Sequence, residues 1–569
     1  MKVKKKYYFF GCSTLLLLSV AAFIFFIKQS FNISTEDGIT FIENGFRFNP
    51  SQISEIENYI SPNQRKLDIL HYHIDLELFP EKEIIQGSII ITGISKSKEL
   101  NKIELNFHDS FDISSVQLNN KSVSYLYEDD KIIITTNEKL VDTFFIKIQY
   151  SGTPKSLGFG SFRFAKNNNE PVIYTLNEPI YASTWFPCND SPNDKVYANI
   201  NITCDSSLTA VSNGILKSVK SFKNKKSFHW ETNYPIATYL ISFSAAKYEI
   251  FSDYYINSEN DSMKIEYYVF PEDLEKAKKD FSIHPNAIKF FSNTFGEYPF
   301  FNEKYGVAEF LWSFGAMENQ TITGVGKNFI SGSLFFTDLL VHELAHQWWG
   351  NAITLSNWKD IWLNEGFSTY SEALYWENES GFQSLKSTMA AFLTDFNGTT
   401  LYNPENLFDR IIYNKGAWVL HMLRKELGDE KFFQLLKVYF ETYKYKNAST
   451  QNFVKLVSEF SEKNLTKFFD QWIYNGKGLI EIEYSYKQKG NNTNEILLKL
   501  NQIQEGYKEY HFQLELDFQL EDGSSKFETI FINKRQNSFN FNFDKKVKNL
   551  MLDPKGWLAF KSNQILEKN

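Results

Sequence analysis

Two short stretches determine the fold that this chain can adopt: residues 341–350, VHELAHQWWG, and residues 362–367, WLNEGF. The chain of 569 residues holds nine histidines, yet His342 and His346 lie four residues apart, with Glu343 directly after the first. Side chains at this spacing on an α-helix project from one face, one turn apart, and two such imidazoles can bind one zinc ion. The pattern predicts a metal site on a helix, and a helix that carries polar residues by chance is the alternative.

The residues around the two histidines supply what a catalytic metal site needs. Apolar residues at one-turn spacing predict a helix here, and Gly350 is suited to end it. Glu343 is displaced around this helix, so that it can reach a water molecule rather than the metal. A third protein ligand is required, and Glu365 lies nineteen residues after His346. A second helix from Trp362 to Asn378 that returns antiparallel would place Glu365 opposite the histidines.

The composition bounds the class of protein. The chain is 43% apolar and 17% aromatic, which is enough for several hydrophobic cores. Its net charge of −8, with both signs mixed along the sequence, argues against a nucleic-acid partner. The three cysteines, Cys12, Cys188 and Cys204, are too few for a disulfide framework. We expect Cys188 and Cys204 to be buried thiols, and a disulfide between these two is the alternative. No obligate protein partner is inferred.

Residues 7–27, YYFFGCSTLLLLSVAAFIFFI, contain no charged side chain. As a helix they would rise about 31 Å, which matches a hydrocarbon core of roughly 30 Å. The lysines of the basic tail, residues 1–6, favour a cytoplasmic N-terminus and send the rest of the chain to a periplasmic, extracellular or lumenal space. We predict a single-pass anchor in the lipid bilayer. A cleaved signal peptide over residues 1–28, which would give a secreted protein, is the alternative.

The hydropathy pattern divides the remaining chain into a linker and three domains. The linker covers residues 28–60, and short alternating strands then predict an N-terminal all-β domain over residues 61–254. Helical periodicity dominates residues 255–478. Strict alternation around residues 512–520 predicts a small β-sandwich domain over residues 479–569. The predicted fold class is a multidomain α+β protein, preceded by one transmembrane helix.

Further motifs accompany the metal signature. They are GAMEN at residues 315–319, YNKGAWVLHMLR at residues 413–424, HYHIDLELFPEKEIIQGS at residues 71–88 and WFPCND at residues 185–190. Together with H-E-x-x-H, eighteen further residues and a glutamate, they resemble the gluzincin zinc aminopeptidases, the family of aminopeptidase N and leukotriene-A hydrolase. The resemblance covers about residues 65–565. It implies a thermolysin-like catalytic domain between the two β domains.

The resemblance also implies a role for each residue of the metal site. His342, His346 and Glu365 would bind one Zn²⁺ per chain. Glu343 would act as the general base toward the attacking water, and Tyr413 would donate a hydrogen bond to the oxyanion. Ligation by histidine and carboxylate suits zinc best, although the affinity order alone does not exclude cobalt or copper.

A second group of residues is implied in substrate binding. Glu318 would bind the α-ammonium of a peptide by charge-assisted hydrogen bonds, and Glu178, nine residues before Pro187, would be a second anchor. Glu372, two turns after Glu365, would accept a hydrogen bond from a ligand histidine. The other implied substrate-binding residues are Phe314, which would line the pocket for the first side chain, and Gly315, Ala316, Met317 and Asn319.

The predicted function is that of a membrane-tethered zinc aminopeptidase. It would release N-terminal residues from peptides with a free N-terminus, by attack of water on the first peptide bond. A metalloendopeptidase or an epoxide hydrolase on the same scaffold is one alternative. A catalytically silent peptide-binding ectodomain is another, which the complete set of catalytic residues disfavours.

Overall fold

The structure, a computed structural model, describes residues 56–97, 100–136, 143–488 and 494–565. The predicted basic tail and membrane anchor lie outside these residues. None of the helices within the described ranges combines the length and the apolar character that crossing a membrane requires.

A large twisted sheet organises the N-terminal part of the chain. Alternation in Leu67–Phe79 buries every second side chain, from Tyr72 to Leu78 each 3% exposed or less, because only one face of the sheet meets the core. Cys188 and Cys204 are buried and free here, which confirms the expectation from the sequence. The strands are β1 (Leu67–Phe79), β2 (Ile84–Ser95), β3 (Lys102–Asn106), β4 (Phe111–Leu118), β5 (Lys121–Ser122), β6 (Leu126–Glu128), β7 (Lys131–Thr135), β8 (Phe144–Gly152), β9 (Phe162–Asn167), β10 (Glu170–Thr175), β11 (Tyr197–Asp205), β12 (Thr209–Ser212), β13 (Ile215–Phe222), β14 (Lys225–Glu231) and β15 (Phe243–Ala246). They form sheets in the orders β13-β14-β11-β1-β2-β8-β4-β5, β12-β15-β10-β9 and β3-β7-β6.

The middle of the chain combines a five-stranded sheet with helices. Its strands are β16 (Glu249–Ile256), β17 (Ser262–Val269), β18 (Tyr305–Phe310), β19 (Ala316–Met317) and β20 (Thr323–Gly326), in the order β16-β17-β18-β20-β19. The helices are α1 (Leu274–Asp280), α2 (His284–Phe295), α3 (Thr337–Ala345), α4 (Trp362–Ser380), α5 (Phe382–Phe392), α6 (Arg410–Leu427), α7 (Asp429–Tyr443), α8 (Thr450–Ser461) and α9 (Thr466–Phe469). Strands β21 (Ile353–Leu355) and β22 (Lys446–Ala448) pair in parallel.

The C-terminal part consists of two packed sheets. Their strands are β23 (Ile480–Gln488), β24 (Glu495–Gln502), β25 (Phe512–Leu520), β26 (Ser525–Ile532), β27 (Gln536–Asn542), β28 (Val547–Leu552) and β29 (Phe560–Gln564), in the orders β27-β24-β23-β29 and β26-β25-β28. Phe518 of one sheet packs against Phe541 of the other, with ring centroids 4.9 Å apart. The α+β multidomain class with a β-rich N-terminal part is confirmed, while the domain boundaries at residues 254 and 478 stay a prediction.

The helix that carries the two histidines ends earlier than the sequence indicates. Helix α3 stops at Ala345 rather than near Gly350, and the chain continues in a wider turn. In this turn the N–H of Asn351 donates to the carbonyl of His346 at 3.0 Å, and the same i+5 spacing repeats over the next two residues. The wider turn buries Trp348 and Trp349 in the core. Burial of these two large rings accounts for the departure from regular helix. Helix α4, in contrast, begins at Trp362 as predicted and runs two residues beyond Asn378.

Helices α4 and α6 cross in direct backbone contact at two glycines. A Cβ atom at Gly416 would lie 2.6 Å from the Cα of Gly366, and a Cβ at Gly366 would lie 2.7 Å from the Cα of Gly416. A side chain at either position would clash with the backbone of the other helix, and the two helices would have to move apart to relieve the clash. Gly366 directly follows Glu365, and Gly416 lies one turn after Tyr413. The crossing therefore fixes the distance between these two predicted site residues.

Helix α6 also carries the contacts to the C-terminal sheets. The ammonium of Lys425 donates to a carbonyl of β25 at 3.0 Å, and that of Lys415 donates at 2.6 Å to the carbonyl of Gly476, which lies just before β23. Between them, the ring of His421 stacks on Trp557 with centroids 4.6 Å apart. The C-terminal sheets are thus fastened along the helix that bears Tyr413.

We expect Gly416→Ala to destabilise the fold by about 1–3 kcal/mol, because the added methyl group forces two backbones apart. Gly398→Ala is the matched control, since its Cβ would meet only the flexible end of Ile411, at 3.1 Å. Urea unfolding of both variants measures the effect. Equal stability of the two variants would contradict the importance of the crossing.

Candidate metal centre and active site

The three predicted metal ligands converge on one point. The Nε2 atoms of His342 and His346 lie 3.0 Å apart, and Oε2 of Glu365 lies 3.3 Å from the first and 3.4 Å from the second. His342 and His346 come from α3 and its C-terminal end, and Glu365 comes from the first turn of α4. All three residues are buried.

Contacts on the far side of each imidazole define which nitrogen faces the cluster. His342 Nδ1 lies 2.7 Å from Oε1 of Glu372, and His346 Nδ1 lies 2.9 Å from the carbonyl of Trp349. Since a carbonyl only accepts, His346 Nδ1 carries the proton, and the carboxylate of Glu372 favours the same arrangement at His342. Both Nε2 atoms then present lone pairs to each other and to the carboxylate of Glu365.

Three lone-pair donors at this separation repel one another unless a cation lies among them. In a tetrahedral site with zinc bonds of 2.0–2.1 Å, the ligand atoms are about 3.3 Å apart, close to the separations observed. The donor set of two imidazoles and one carboxylate is also one that zinc prefers in catalytic sites. His342, His346 and Glu365 therefore fit a single Zn²⁺.

Further carboxylates crowd against this centre. One oxygen each of Glu178, Glu318 and Glu365 lie within 4.8 Å of one another, and Glu318 and Glu343 form a similar group with His346. Glu178, Glu318 and Glu343 are each 6% exposed or less. Each of these three also has one buried oxygen without a hydrogen-bond partner among the described residues. Such oxygens favour a cationic ligand, because a buried acceptor without a donor is costly.

The crowding shifts the proton affinity of these carboxyl groups. Burial raises the pKa of Glu343 to about 8, and repulsion from Glu318 adds to the rise. Burial also raises the pKa of Glu178 and of Glu318, with a further contribution at Glu178 from the carboxylate of Glu318. A cation bound among these carboxyl groups would lower their pKa values again, because it favours the charged form.

The GAMEN segment forms the edge of the five-stranded sheet. Ala316 pairs with Val325 and Met317 with Gly324, which makes β19 the outermost strand in the described sheet order. The carbonyl of Gly315 accepts the N–H of Gly326 at 3.0 Å. An edge strand can pair with an extended peptide. Glu318 and Asn319 follow directly after this strand.

Tyr413 and Phe314 differ in how closely they approach the metal centre. The ring of Tyr413 stacks on that of His342, with centroids 5.9 Å apart, and burial raises the pKa of its phenol well above 10. Phe314 is 43% exposed and packs against Trp312, with centroids 6.3 Å apart. The place of Phe314 in a side-chain pocket stays a prediction.

Two contacts at the centre were not anticipated from the sequence. Ser368 Oγ lies 3.0 Å from Nδ1 of His346, and the carbonyl of Trp349 holds the same nitrogen. Ser368 lies three residues after Glu365 on α4, so the spacing along that helix could have indicated it. The Trp349 carbonyl depends on the wide turn after α3, which no sequence pattern marks.

Comparisons with known proteins agree with this fold and site. The family descriptions "Peptidase M1 N-terminal domain" and "Peptidase family M1 domain" match residues 69–240 and 280–472, which together make up more than half of the chain. The chain is 27% identical over 384 residues to "Probable aminopeptidase 2" of Sulfurisphaera tokodaii, covering 63% of this chain and 48% of that protein. It is 29% identical over 456 residues to "Aminopeptidase N" of Lactococcus lactis, covering 74% of this chain and 51% of that protein. The chain thus spans about half the length of these relatives.

Solved structures give the same result. The M1 zinc metallopeptidase from Deinococcus radiodurans superposes with a TM-score of 0.63 at 25% identity, covering 72% of this chain and 94% of that one. Legionella pneumophila aminopeptidase A in complex with aspartic acid superposes with a TM-score of 0.76 at 17% identity, covering 88% of this chain and 60% of that one. This likeness shows the shared fold. The chain belongs to peptidase family M1, the gluzincin zinc metallopeptidases.

We expect one zinc ion per chain, lost in Glu365→Ala and retained in Glu343→Gln. Glu365 supplies a ligand oxygen to the cluster, whereas Glu343 lies beside it. Elemental analysis after exhaustive dialysis measures the metal content. A full zinc content in Glu365→Ala would show that this carboxylate is not a ligand.

Proposed function

We propose that this chain is a zinc-dependent aminopeptidase that removes residues one at a time from the free N-terminus of peptides. The observation that carries the proposal is the pair of buried carboxylates, Glu178 and Glu318, beside the His342, His346 and Glu365 cluster. A catalytic metal centre alone suits any hydrolase. Two buried anions next to it select a cationic group, and the N-terminal ammonium is the cation that every unmodified peptide carries.

Each residue of the site then has a chemical task. Glu318 and Glu178 accept hydrogen bonds from the ammonium and so place the first peptide bond near the metal ligands. Glu343 takes a proton from the attacking water and returns it to the leaving amine. Tyr413, kept protonated by its raised pKa, donates a hydrogen bond to the carbonyl oxygen as negative charge develops there. Bound zinc supplies Lewis acidity toward the water and the carbonyl oxygen.

Supporting roles complete the proposal. Glu372 orients His342 by accepting its Nδ1–H. Gly315, Ala316 and Met317 offer the edge of the sheet to the peptide backbone, and Phe314 lines the pocket for the first side chain. Asn319 belongs to the same binding segment.

An endopeptidase on this scaffold is the second candidate. It would bind acylated peptides, for which the buried oxygens of Glu178 and Glu318 offer no complementary group. An epoxide hydrolase would likewise leave these carboxylates without a cation. A silent peptide-binding protein has no use for the full set of ligands together with Glu343 and Tyr413.

We expect wild-type protein to shorten a peptide stepwise from its free N-terminus and to cleave the N-acetylated copy far more slowly. Loss of one charged partner costs about 2–5 kcal/mol, so Glu318→Ala should lower kcat/KM by roughly thirtyfold or more with zinc retained. Glu430→Ala, at an exposed carboxylate of α7, is the control and should match the wild type. Mass spectrometry of the digests distinguishes a ladder from internal fragments. Internal fragments from the acetylated peptide at a comparable rate would identify an endopeptidase instead.

We propose further that residues 7–27 anchor the protein in a membrane, with residues 1–6 in the cytoplasm and the catalytic part on the other side. The uninterrupted apolar run and the preceding lysines support this topology. A cleaved signal sequence would give a secreted enzyme.

The full chain should remain with membranes after a carbonate wash, because an apolar helix of this length is not displaced by salt or alkali. The same chain without residues 1–28 is the control and should leave the membrane fraction. A mature protein that begins near residue 29 would decide for the signal peptide.

A further inference from the structure

Two buried amide side chains connect the end of the histidine helix to the proposed amine anchor. Asn351 Nδ2 donates to the backbone carbonyl of Glu318 at 2.7 Å, and Gln347 Nε2 donates to the same carbonyl at 3.3 Å. Gln347 Oε1 accepts the N–H of Thr321 at 2.9 Å. Gln347 and Asn351 are both fully buried. Gln347 directly follows the ligand His346, so these bonds run from the metal centre to the substrate-binding segment.

We propose that Gln347 and Asn351 are positioning residues that set the distance between the Glu318 carboxylate and the metal ligands. The two amides thereby fix which peptide bond lies at the metal when the ammonium is held. This inference rests on the proposed aminopeptidase function, in which Glu318 binds the ammonium.

The Glu318 backbone depends on these amides because the sheet no longer holds it. The ladder between β19 and β20 ends at Met317, so Glu318 lies just past the last strand pair. Its carbonyl receives two side-chain donors in place of a strand partner. Both donors come from the wide turn that begins at His346. The position of the Glu318 backbone is therefore set by contacts with the end of the helix that carries the metal ligands, rather than by strand pairing.

The far end of the segment is held in a conformation that needs support. Thr321, a β-branched residue, has a φ of +63°, which costs on the order of 1–3 kcal/mol unless its surroundings enforce it. Gln347 Oε1 accepts the N–H of Thr321. The hydroxyl oxygen of Thr321 in turn accepts the N–H of Gly214 at 2.9 Å. Lys304 donates to the same hydroxyl oxygen at 3.4 Å. Gln347 thus joins both ends of the short turn between residues 318 and 321.

Asn351 is itself fixed from the N-terminal part of the chain. Lys195 donates to the carbonyls of Asn351 and Ala352 at 2.8 and 3.0 Å. Lys195 lies two residues before β11, in the same connection between β10 and β11 that carries Glu178. Because the Asn351 backbone is held from this side, its side-chain amide offers a fixed donor to Glu318.

The variants Asn351→Ala and Gln347→Met test this inference. A displacement of about 1 Å at an anchor can cost on the order of a hundredfold in rate, so the preference for a free over an acetylated N-terminus should fall by tenfold to a hundredfold. The loss should come mainly through a higher KM for an aminoacyl anilide, since the metal ligands and Glu343 are retained. Gln471→Met is the matched control, because Gln471 is 1% exposed and also bridges a backbone N–H and carbonyl, both of His511, at 2.9 Å.

The measurements are zinc content, unfolding midpoint in urea and kcat/KM on an alanyl anilide and its N-acetyl copy. A lowered preference in Asn351→Ala with full zinc content, and an unchanged preference in Gln471→Met, would support the positioning role. If the alanine variant does not fold, Asn351→Ser serves instead, because the shorter serine side chain does not reach the Glu318 carbonyl. The same lowered preference is then expected. Variants that keep the wild-type preference would overturn the inference. If the wild-type protein itself shows no preference for the free N-terminus, the proposed function fails instead.

Discussion

The concentration of buried negative charge around two imidazoles is the constraint on which the rest of the structure depends. Four glutamate carboxylates, from Glu178, Glu318, Glu343 and Glu365, gather beside His342 and His346, and a fifth, Glu372, lies behind His342. Two like charges 4 Å apart repel by about 4 kcal/mol at an effective dielectric constant of 20. Such a cluster persists only when bound cations or protons balance the charge and when the backbone around it cannot relax. The cluster accounts for a divalent metal at this site and for the cationic substrate group that we propose.

The surrounding scaffold is built to resist that relaxation. The four carboxylates come from three places in the fold: a loop after β10, the end of β19, and the paired helices α3 and α4. Trp348 and Trp349 fill the core beneath the wide turn, and Gly366 and Gly416 let two helices touch. Close packing of large rings leaves little room for a compensating shift. This packing holds the buried carboxylates close together.

The sequence allowed much of this to be predicted, and the exceptions have physical causes. The spacing of His342, His346 and Glu365 predicted a convergence that depends only on helix geometry and on one antiparallel return. The shared role of Glu178 and Glu318 could be predicted only from the resemblance to a known family. They are 140 residues apart in the sequence, and no local periodicity relates them. The end of α3 was predicted wrongly at Gly350, since the burial of two adjacent tryptophans outweighs regular helix bonding. The contacts of Gln347 and Asn351 were not predicted, because their partner is a backbone carbonyl and leaves no residue pattern.

Helix α6 connects the C-terminal sheets to Tyr413, whose ring stacks on that of His342. The same helix holds Tyr413 in its first turn and, further along, the contacts of His421 to Trp557 and of Lys425 to β25. The crossing at Gly366 and Gly416 holds the same helix from its other side. The C-terminal sheets thereby help to keep the ring of Tyr413 stacked on that of His342.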